Sequence, residues 1–372
     1  MTKKAIVIYI LLLFPLFLSA QKVYLGSCTT SDGGQYKGEM VGGKPNGKGS
    51  AVYTNGDTYE GEYVKGKRNG YGVYSFSDGE RYEGSWFQNQ QHGRGTYYFL
   101  TNNKYVGLWF RDEQQGHGVM YYYNGDKYEG NWQKDKRHGK GKYTFASGAY
   151  YNGNWDNDKK SGKGFFDWGN GTTYDGMWLD NQRSGKGTFR YADGDVYIGE
   201  WKDDIQDGLG IYKFQNGDYY EGKYVQGERT GEGIFKYSNG DKYIGNFQNG
   251  EKNGYGSFYW SNGDTYTGYW SNDRQHGKGK LVKKNGDVFE ANFKEGLFDG
   301  EVIIHFANGS RFKGMYKKGL RNGPAIEEDK DGKRFEGVYA DGLRNGRFLE
   351  KDRNGKRQPD LLLLPVSLFR IL

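Results

Sequence analysis

Residues 128–150 read YEGNWQKDKRHGKGKYTFASGAY, and this pattern returns every 23 residues without an insertion or deletion. Its first aromatic stands at Tyr36, Tyr59, Tyr82, Tyr105, Tyr128, Tyr151, Tyr174, Tyr197, Tyr220, Tyr243, Tyr266, Phe289, Phe312 and Phe335. A Gly-x-Gly pair follows each one at a constant distance, from Gly47 and Gly49 down to Gly277 and Gly279. Fourteen copies in one register describe an array in which each unit buries its apolar face on its neighbours. Function is then to be sought on an extended surface.

Within the unit, Tyr128–Trp132 and Gly139–Phe145 alternate with period two, so both are strands. Most units then turn at Asn-Gly or Asp-Gly, as at Asn124-Gly125 and Asn262-Gly263, which are strong hairpin signals. A two-residue turn here would put the aromatics of adjacent strands on opposite faces. A three-residue loop ending in a left-handed Gly puts them on one face, the only apolar surface on offer. That register places Tyr143 opposite Tyr151 and, across a six-residue loop Gln133–His138, opposite Tyr128. Gly141 faces Gly153 and Gly130, and Trp132 faces Gly139. Glycine in these strands leaves room for the large ring of a neighbour. The opposite face reads as polar, with Lys48 facing Glu62 and Lys186 facing Glu200. The expected fold is all-β, an elongated single-layer antiparallel meander of stacked hairpin repeats.

Composition agrees. The 372 residues include 63 glycines and only 35% apolar residues, too few for large closed cores, while 17% aromatic content argues against disorder. The net charge of +7, two units of which lie on Lys3 and Lys4, is no nucleic-acid footprint. Residues 1–20 read as a secretory signal peptide: Lys3 and Lys4, an apolar run from Ala5 to Leu18, then Ser19-Ala20 before a cleavage point at Gln21. The mature chain is expected outside the cytoplasm, in a periplasm, at a cell surface or beyond it. Cys28, the single cysteine, provides no disulfide framework and reads as a strand residue of an N-terminal half-repeat at 21–35. Regular repeats fill 36–288 and degenerate ones 289–357, where Val302, Ala325 and Phe348 replace the second glycine and read as a cap. An apolar tail at 358–372 leaves the repeat grid, is too short to span a bilayer, and is expected to cover a sheet edge.

No constellation of catalytic residues is present. His92, His138 and His276 recur at one repeat position, and no Ser or Cys occupies a nucleophile motif. Gly42–Lys48 (GGKPNGK) misses a phosphate loop for want of Ser or Thr after the lysine. Asp57, Asp126, Asp195, Asp218, Asp241, Asp264 and Asp287 supply one carboxylate per unit, too few for calcium, and read as turn stabilisers. Neither a metal nor a cofactor is expected. Lys48, Arg94, Lys140, Lys163, Lys186 and Lys278 form a broken basic stripe that either is simply solvated or meets an anionic surface.

The pattern Y-x-G-x-W, a short polar stretch, [H/N]-G-x-G and a turn, as in YEGNWQKDKRHGKG, YTGYWSNDRQHGKG and YEGEYVKGKRNGYG, resembles the MORN repeat (membrane occupation and recognition nexus). The resemblance runs from Gln35 to Asn354 and implies a non-catalytic β-sheet scaffold. Such scaffolds bind other proteins, self-associate, or sit on phospholipid membranes. An export signal is at odds with a cytosolic lipid-facing role. Two classes of function therefore stay open. One is a scaffold binding a protein partner or another copy of itself along the aromatic and glycine groove. Its partner-binding face would be Tyr82, Trp86, Tyr105, Trp109, Tyr128, Trp132, Tyr151, Trp155, Tyr174, Trp178, Tyr197 and Trp201, shaped by Gly130, Gly139, Gly141 and Gly153. The other is binding of glycan or cell envelope by the aromatic rows, with an anionic membrane surface behind it.

Overall fold

The period-two alternation of each repeat is realised as two strands, and nothing else regular is built. The structure, a computed structural model, describes residues 22–357. The expected signal segment with its cleavage point Ala20/Gln21, and the tail at 358–372, lie outside the described residues. The described residues divide into two compact units, the first ending at Lys159 and the second beginning at Lys160. Strands β1 (Tyr24–Thr29) to β12 (Tyr150–Asp156) belong to the first. Strands β13 (Lys159–Asp167), which opens at the boundary, to β29 (Leu343–Lys351) form the second. Within each unit, consecutive strands pair antiparallel, and the described residues contain no helix.

Strand β9 (Glu113–Tyr121), β10 (Lys127–Gln133), β11 (Lys136–Thr144) and β12 show the common register. Tyr143 pairs with Tyr128 on one side and Tyr151 on the other, and Gly141 pairs with Gly130 and Gly153, as expected. The loop from β9 to β10 is the expected three-residue one. Tyr122 N–H donates to the Asp126 carbonyl at 3.0 Å, and Gly125 closes the loop at φ +89°. Cys28 lies on β1 opposite Tyr36, so the first half-repeat obeys the same grid. In the outward direction Lys48 faces Glu62 and Lys186 faces Glu200.

The second connection differs from expectation. In place of a six-residue loop, β10 and β11 are joined by a two-residue turn, Lys134-Asp135, with both residues left-handed at φ +49° and +62°. That backbone matches strand twist, and Asn or Asp tolerates it better than most residues. It sets Gln133 opposite Lys136 and Trp132 opposite Arg137, two residues out of step with the Gly130–Gly141 pair. The surplus is absorbed as a bulge at Gly139, which sits at φ +65°. Trp132 therefore does not face Gly139. It faces Arg137 within its own hairpin and Gly116 on β9, while Gly139 faces Trp155.

The two glycines of Gly-x-Gly thus answer different needs. Gly139 supplies a conformation, and Gly141 supplies space. A Cβ on Gly141 would lie 2.2 Å from the Tyr128 hydroxyl oxygen, and one on Gly130 would lie 2.4 Å from the Gly141 Cα. The Tyr128 ring lies flat over this glycine pair, and its hydroxyl donates to the Asn131 carbonyl at 3.0 Å. A single layer thereby buries its tyrosines without a second sheet.

The turn acids are structural. Asp126 accepts from the Ala146 N–H at 2.8 Å and the Tyr143 hydroxyl at 2.7 Å, both in the next hairpin. Asp57, Asp195, Asp218, Asp241, Asp264 and Asp287 accept the equivalent backbone bond. At Asp126 burial works against the charge, but the Tyr143 hydroxyl and the Ala146 N–H hold the carboxyl below its usual range. Asp57, Asp218, Asp241 and Asp264 are lowered too. A pKa depressed by folding contributes stability that is complete above the unfolded value of about 4. That stability is lost as pH falls through the folded value. The thermal unfolding temperature should accordingly fall steeply below about pH 4. Asp126→Asn should flatten that dependence in its own hairpin, since Asn103 already makes the same backbone bond at 2.9 Å to Tyr123.

Candidate functional site

The twelve rings expected to form a binding face do share one face, and they are its foundation. In the first unit Tyr82, Trp86, Tyr105, Trp109, Tyr128, Trp132, Tyr151 and Trp155 are buried, as are Tyr174, Trp178, Tyr197 and Trp201 in the second. The tyrosines are at most 1% exposed and the tryptophans at most 6%. Trp132 shows how the tryptophans stand edge-on to tyrosines: it lies 5.2 Å from Tyr128 and 5.3 Å from Tyr105, both near perpendicular. Its indole N–H points at the Gly118 carbonyl, 3.4 Å away. Burial pushes the hydroxyls of Tyr82, Tyr105 and Tyr128 well above the ordinary phenol range.

Over this ring layer runs a column that the sequence reading passed over, two residues before the first glycine of each Gly-x-Gly. Arg137 shows its chemistry. Its guanidinium carbon lies 4.4 Å from the Trp155 ring centre, and Nε donates to Asp158 Oδ1 at 2.9 Å. Its backbone N–H donates to the same oxygen at 3.0 Å. Arg68 covers Trp86 at 4.5 Å in the same unit. In the second unit Lys160 covers Trp178 at 4.2 Å, Arg183 covers Trp201 at 4.3 Å, and Lys252 covers Trp270 at 5.3 Å. Each such contact stabilises by ~0.5–2 kcal/mol depending on desolvation. Where the second residue of the next two-residue turn is an acid or amide it is the partner, and there the column ties a repeat to its successor. The signal was available: basic residues recur there in phase, with Asp or Asn 21 residues on at Arg68/Asn89, Arg137/Asp158 and Arg183/Asp204.

Between Arg68 and Arg137 the first unit carries a trough of about 890 Å³. Its floor is Trp86, Trp109 and Trp132 with Gln91 and Gln114. One wall is the outer ring row of Phe76, Phe99 and Tyr122, and the other is the row of turn residues Asn89, Asp112, Asp135 and Asp158. The outer rings are half-buried and stack on their neighbours, Phe99 at 4.6 Å from Tyr97. The outward face is less polar than expected. Tyr71, Tyr98, Val106, Leu108 and Phe110 are exposed there in the first unit, and Met177, Ile198 and Leu209 in the second. Among the described residues no group of three or more His, Cys, Asp or Glu side chains is arranged to hold a metal.

No curated protein matches this chain. Solved structures similar to parts of it include the TCP domain of SAS-4 (dCPAP) of Drosophila Melanogaster in complex with a proline-rich motif of Ana2 (dSTIL). That domain is 19% identical, with 42% of this chain and 85% of that one covered at a TM-score of 0.27. The TCP10 domain of Danio rerio CPAP in complex with a peptide of Danio rerio STIL is 13% identical, with 73% and 100% covered at a TM-score of 0.25. Scores of that size do not establish a common fold. The family description "MORN repeat" matches eleven consecutive 23-residue spans, from 36–58 to 266–288, and a further one at 312–334. The spans left between and after, 289–311 and 335–357, are those in which Val302 and Phe348 stand in place of the second glycine. With its matched spans filling well over half of its length, this chain belongs to the MORN repeat family.

Proposed function

We propose that this protein is a non-catalytic, extracytoplasmic scaffold that docks an extended segment of a protein partner along the ring face of its first unit. MORN repeats build scaffolds for binding proteins or membranes, and the family brings no chemistry of its own. The observation that carries the reading is the trough between Arg68 and Arg137, a preformed concavity with half-buried rings on one side and turn acids on the other. Aromatic walls beside a row of acceptors suit an extended peptide, whose apolar side chains meet rings while its polar groups meet side chains. The buried lattice beneath is held by edge-on rings and backbone pairing, so little ordering cost is left for binding. The extracytoplasmic destination rests on residues 1–20.

Selection of a random-peptide display library on the full-length protein tests this reading. Enriched peptides should bind the wild type and lose at least tenfold in affinity on Phe99→Ala or Tyr122→Ala, each of which trims a half-buried wall ring. Tyr255→Ala, on the outward face of the second unit, should leave binding unchanged. Enriched peptides indifferent to Phe99 and Tyr122 would sink the reading. So would absence of any enrichment alongside clear retention on cell-wall glycan or anionic liposomes, which would reassign the face.

A further inference from the structure

The outward face of the first unit carries positive charge that its neighbours do not balance. The middle residue of Gly-x-Gly points there, as Tyr71, Arg94, His117 and Lys140 in successive repeats, all four exposed. Across the strand pairs they face Ser85, Leu108, Asn131 and Asn154. The two repeats before these have an acid in the facing column, Glu39 and Glu62, so that Lys48 faces Glu62. From Ser85 to the end of the unit the acid is gone while the cations stay. Neither Arg94 nor Lys140 has an ion-pair partner among the described residues. The acids of the neighbouring outward row, Glu83 and Glu129, are taken by Arg81 at 2.6 Å and Lys127 at 2.8 Å. A groove of about 510 Å³ follows this row over the backbones of Gly84, Gly95 and Gly107. Arg94 and Leu108 line one side of it, Thr96 and Val106 the other. Tyr71 and Tyr98 border it with 52% and 37% of their surface exposed. The Tyr71 hydroxyl reaches across to donate to Glu83 Oε1 at 2.7 Å, which fixes that ring in place.

We propose that this face binds an acidic polysaccharide, with Arg94 and Lys140 meeting its carboxylates and Tyr71 and Tyr98 its sugar rings. It is the face opposite the ring trough, so the assignment stands whether or not a protein docks there. Charge complementarity calls for an anion, and spacing calls for a chain. Arg94 and Lys140 are two repeats apart, four strands at ~4.8 Å or about 19 Å, too far for one compact anion to meet both. The remaining groups suit sugar. Exposed tyrosines give rigid amphipathic contact area at small entropic cost, and Ser85, Thr96, Asn131 and Asn154 set hydroxyls and amides along the same path. An extended peptide gains affinity by pairing with free backbone groups at a sheet edge, whereas the strands under this groove are paired on both sides. A flat anionic membrane would meet the rims of the groove and leave its floor empty.

The probe is fluorescein-labelled polygalacturonate, read by anisotropy with the full-length protein at low and high salt. It should bind, weaken with salt, and lose at least tenfold in affinity on Arg94→Gln/Lys140→Gln. Lys65→Gln/Lys134→Gln removes the same charge from two turns of the same unit, where Gln88 already holds the equivalent position. That control should bind as the wild type does. Tyr98→Thr, which installs the residue that Thr144 supplies in the same column, should weaken polygalacturonate at least threefold. Labelled dextran, which is neutral, should not bind. Equal losses in the two charge-matched variants would reduce the effect to net charge and overturn the proposal. Polyglutamate bound as tightly as polygalacturonate, with the same dependence on Tyr98, would replace the polysaccharide by an acidic peptide. Anionic liposomes retained through Arg94 and Lys140, without binding of polygalacturonate, would replace it by a membrane surface. Absence of polygalacturonate binding to a wild type that unfolds cooperatively would also overturn it.

Discussion

Gly141→Ala should destabilise the first unit around β10–β12 by about 3 kcal/mol, the upper part of the range for overpacking a filled core. The added Cβ would meet the Tyr128 ring at three atoms within 2.6 Å. That ring cannot yield, being wholly buried and held edge-on by Trp132 at 5.2 Å and Trp155 at 5.4 Å. Gly148→Ala gives the contrast. Nothing lies within 4 Å of its Cβ, and only its φ of +92° is strained, so about 1–2 kcal/mol should be lost. Hydrogen exchange resolved by strand is the measurement, since an array need not unfold as one unit. The degenerate repeats supply a second check. Where the covered glycine has become Val302 or Ala325, the covering tyrosine has become Phe289 or Phe312. Adding Tyr128→Phe to Gly141→Ala removes the atom of closest approach. The double variant should therefore lose less than the sum of the two single changes. Equal protection of β10–β12 in Gly141→Ala and wild type would contradict the account of the glycine pair.

The strands, their aromatic and glycine registers and the three-residue loop were legible because each follows from a period of two and from parity across an Asn-Gly or Asp-Gly turn. The other turn was not. Lys134-Asp135 carries no glycine, and its left-handed pair shows only when Asn89, Asp112, Asp158, Asn181 and Asp204 are seen to recur at the second position. Missing that turn misplaced the partner of Trp132, because the bulge at Gly139 exists to reconcile two registers. The twelve motif rings were legible as a face, but their burial was not. It depends on tyrosines lying flat on glycines and on indoles standing edge-on between those tyrosines. The trough was least legible, since it depends on which rings and turn residues of separate hairpins line up along it.

Burial also decides how the tryptophans can be tested. Trp132→Ala should cost about 3–5 kcal/mol, the range for emptying a buried aromatic site. It removes both edge-on contacts, to Tyr105 and Tyr128, and leaves the Gly118 carbonyl without its indole donor. Because repeats are coupled chiefly to their neighbours, the loss of protection should centre on the hairpins carrying Tyr105 and Tyr128 and fade beyond them. Trp132→Phe should cost far less, since Phe247 and Phe293 fill the same column edge-on to Tyr243 and Tyr266. Binding lost on Trp109→Ala, Trp132→Ala or Trp155→Ala would then report a collapsed floor, whichever ligand was used. Contact with a partner is read instead from Phe99 and Tyr122, whose substitution leaves the floor in place. A Trp132→Ala protein with wild-type exchange protection at both hairpins would show that the indole is a surface group after all.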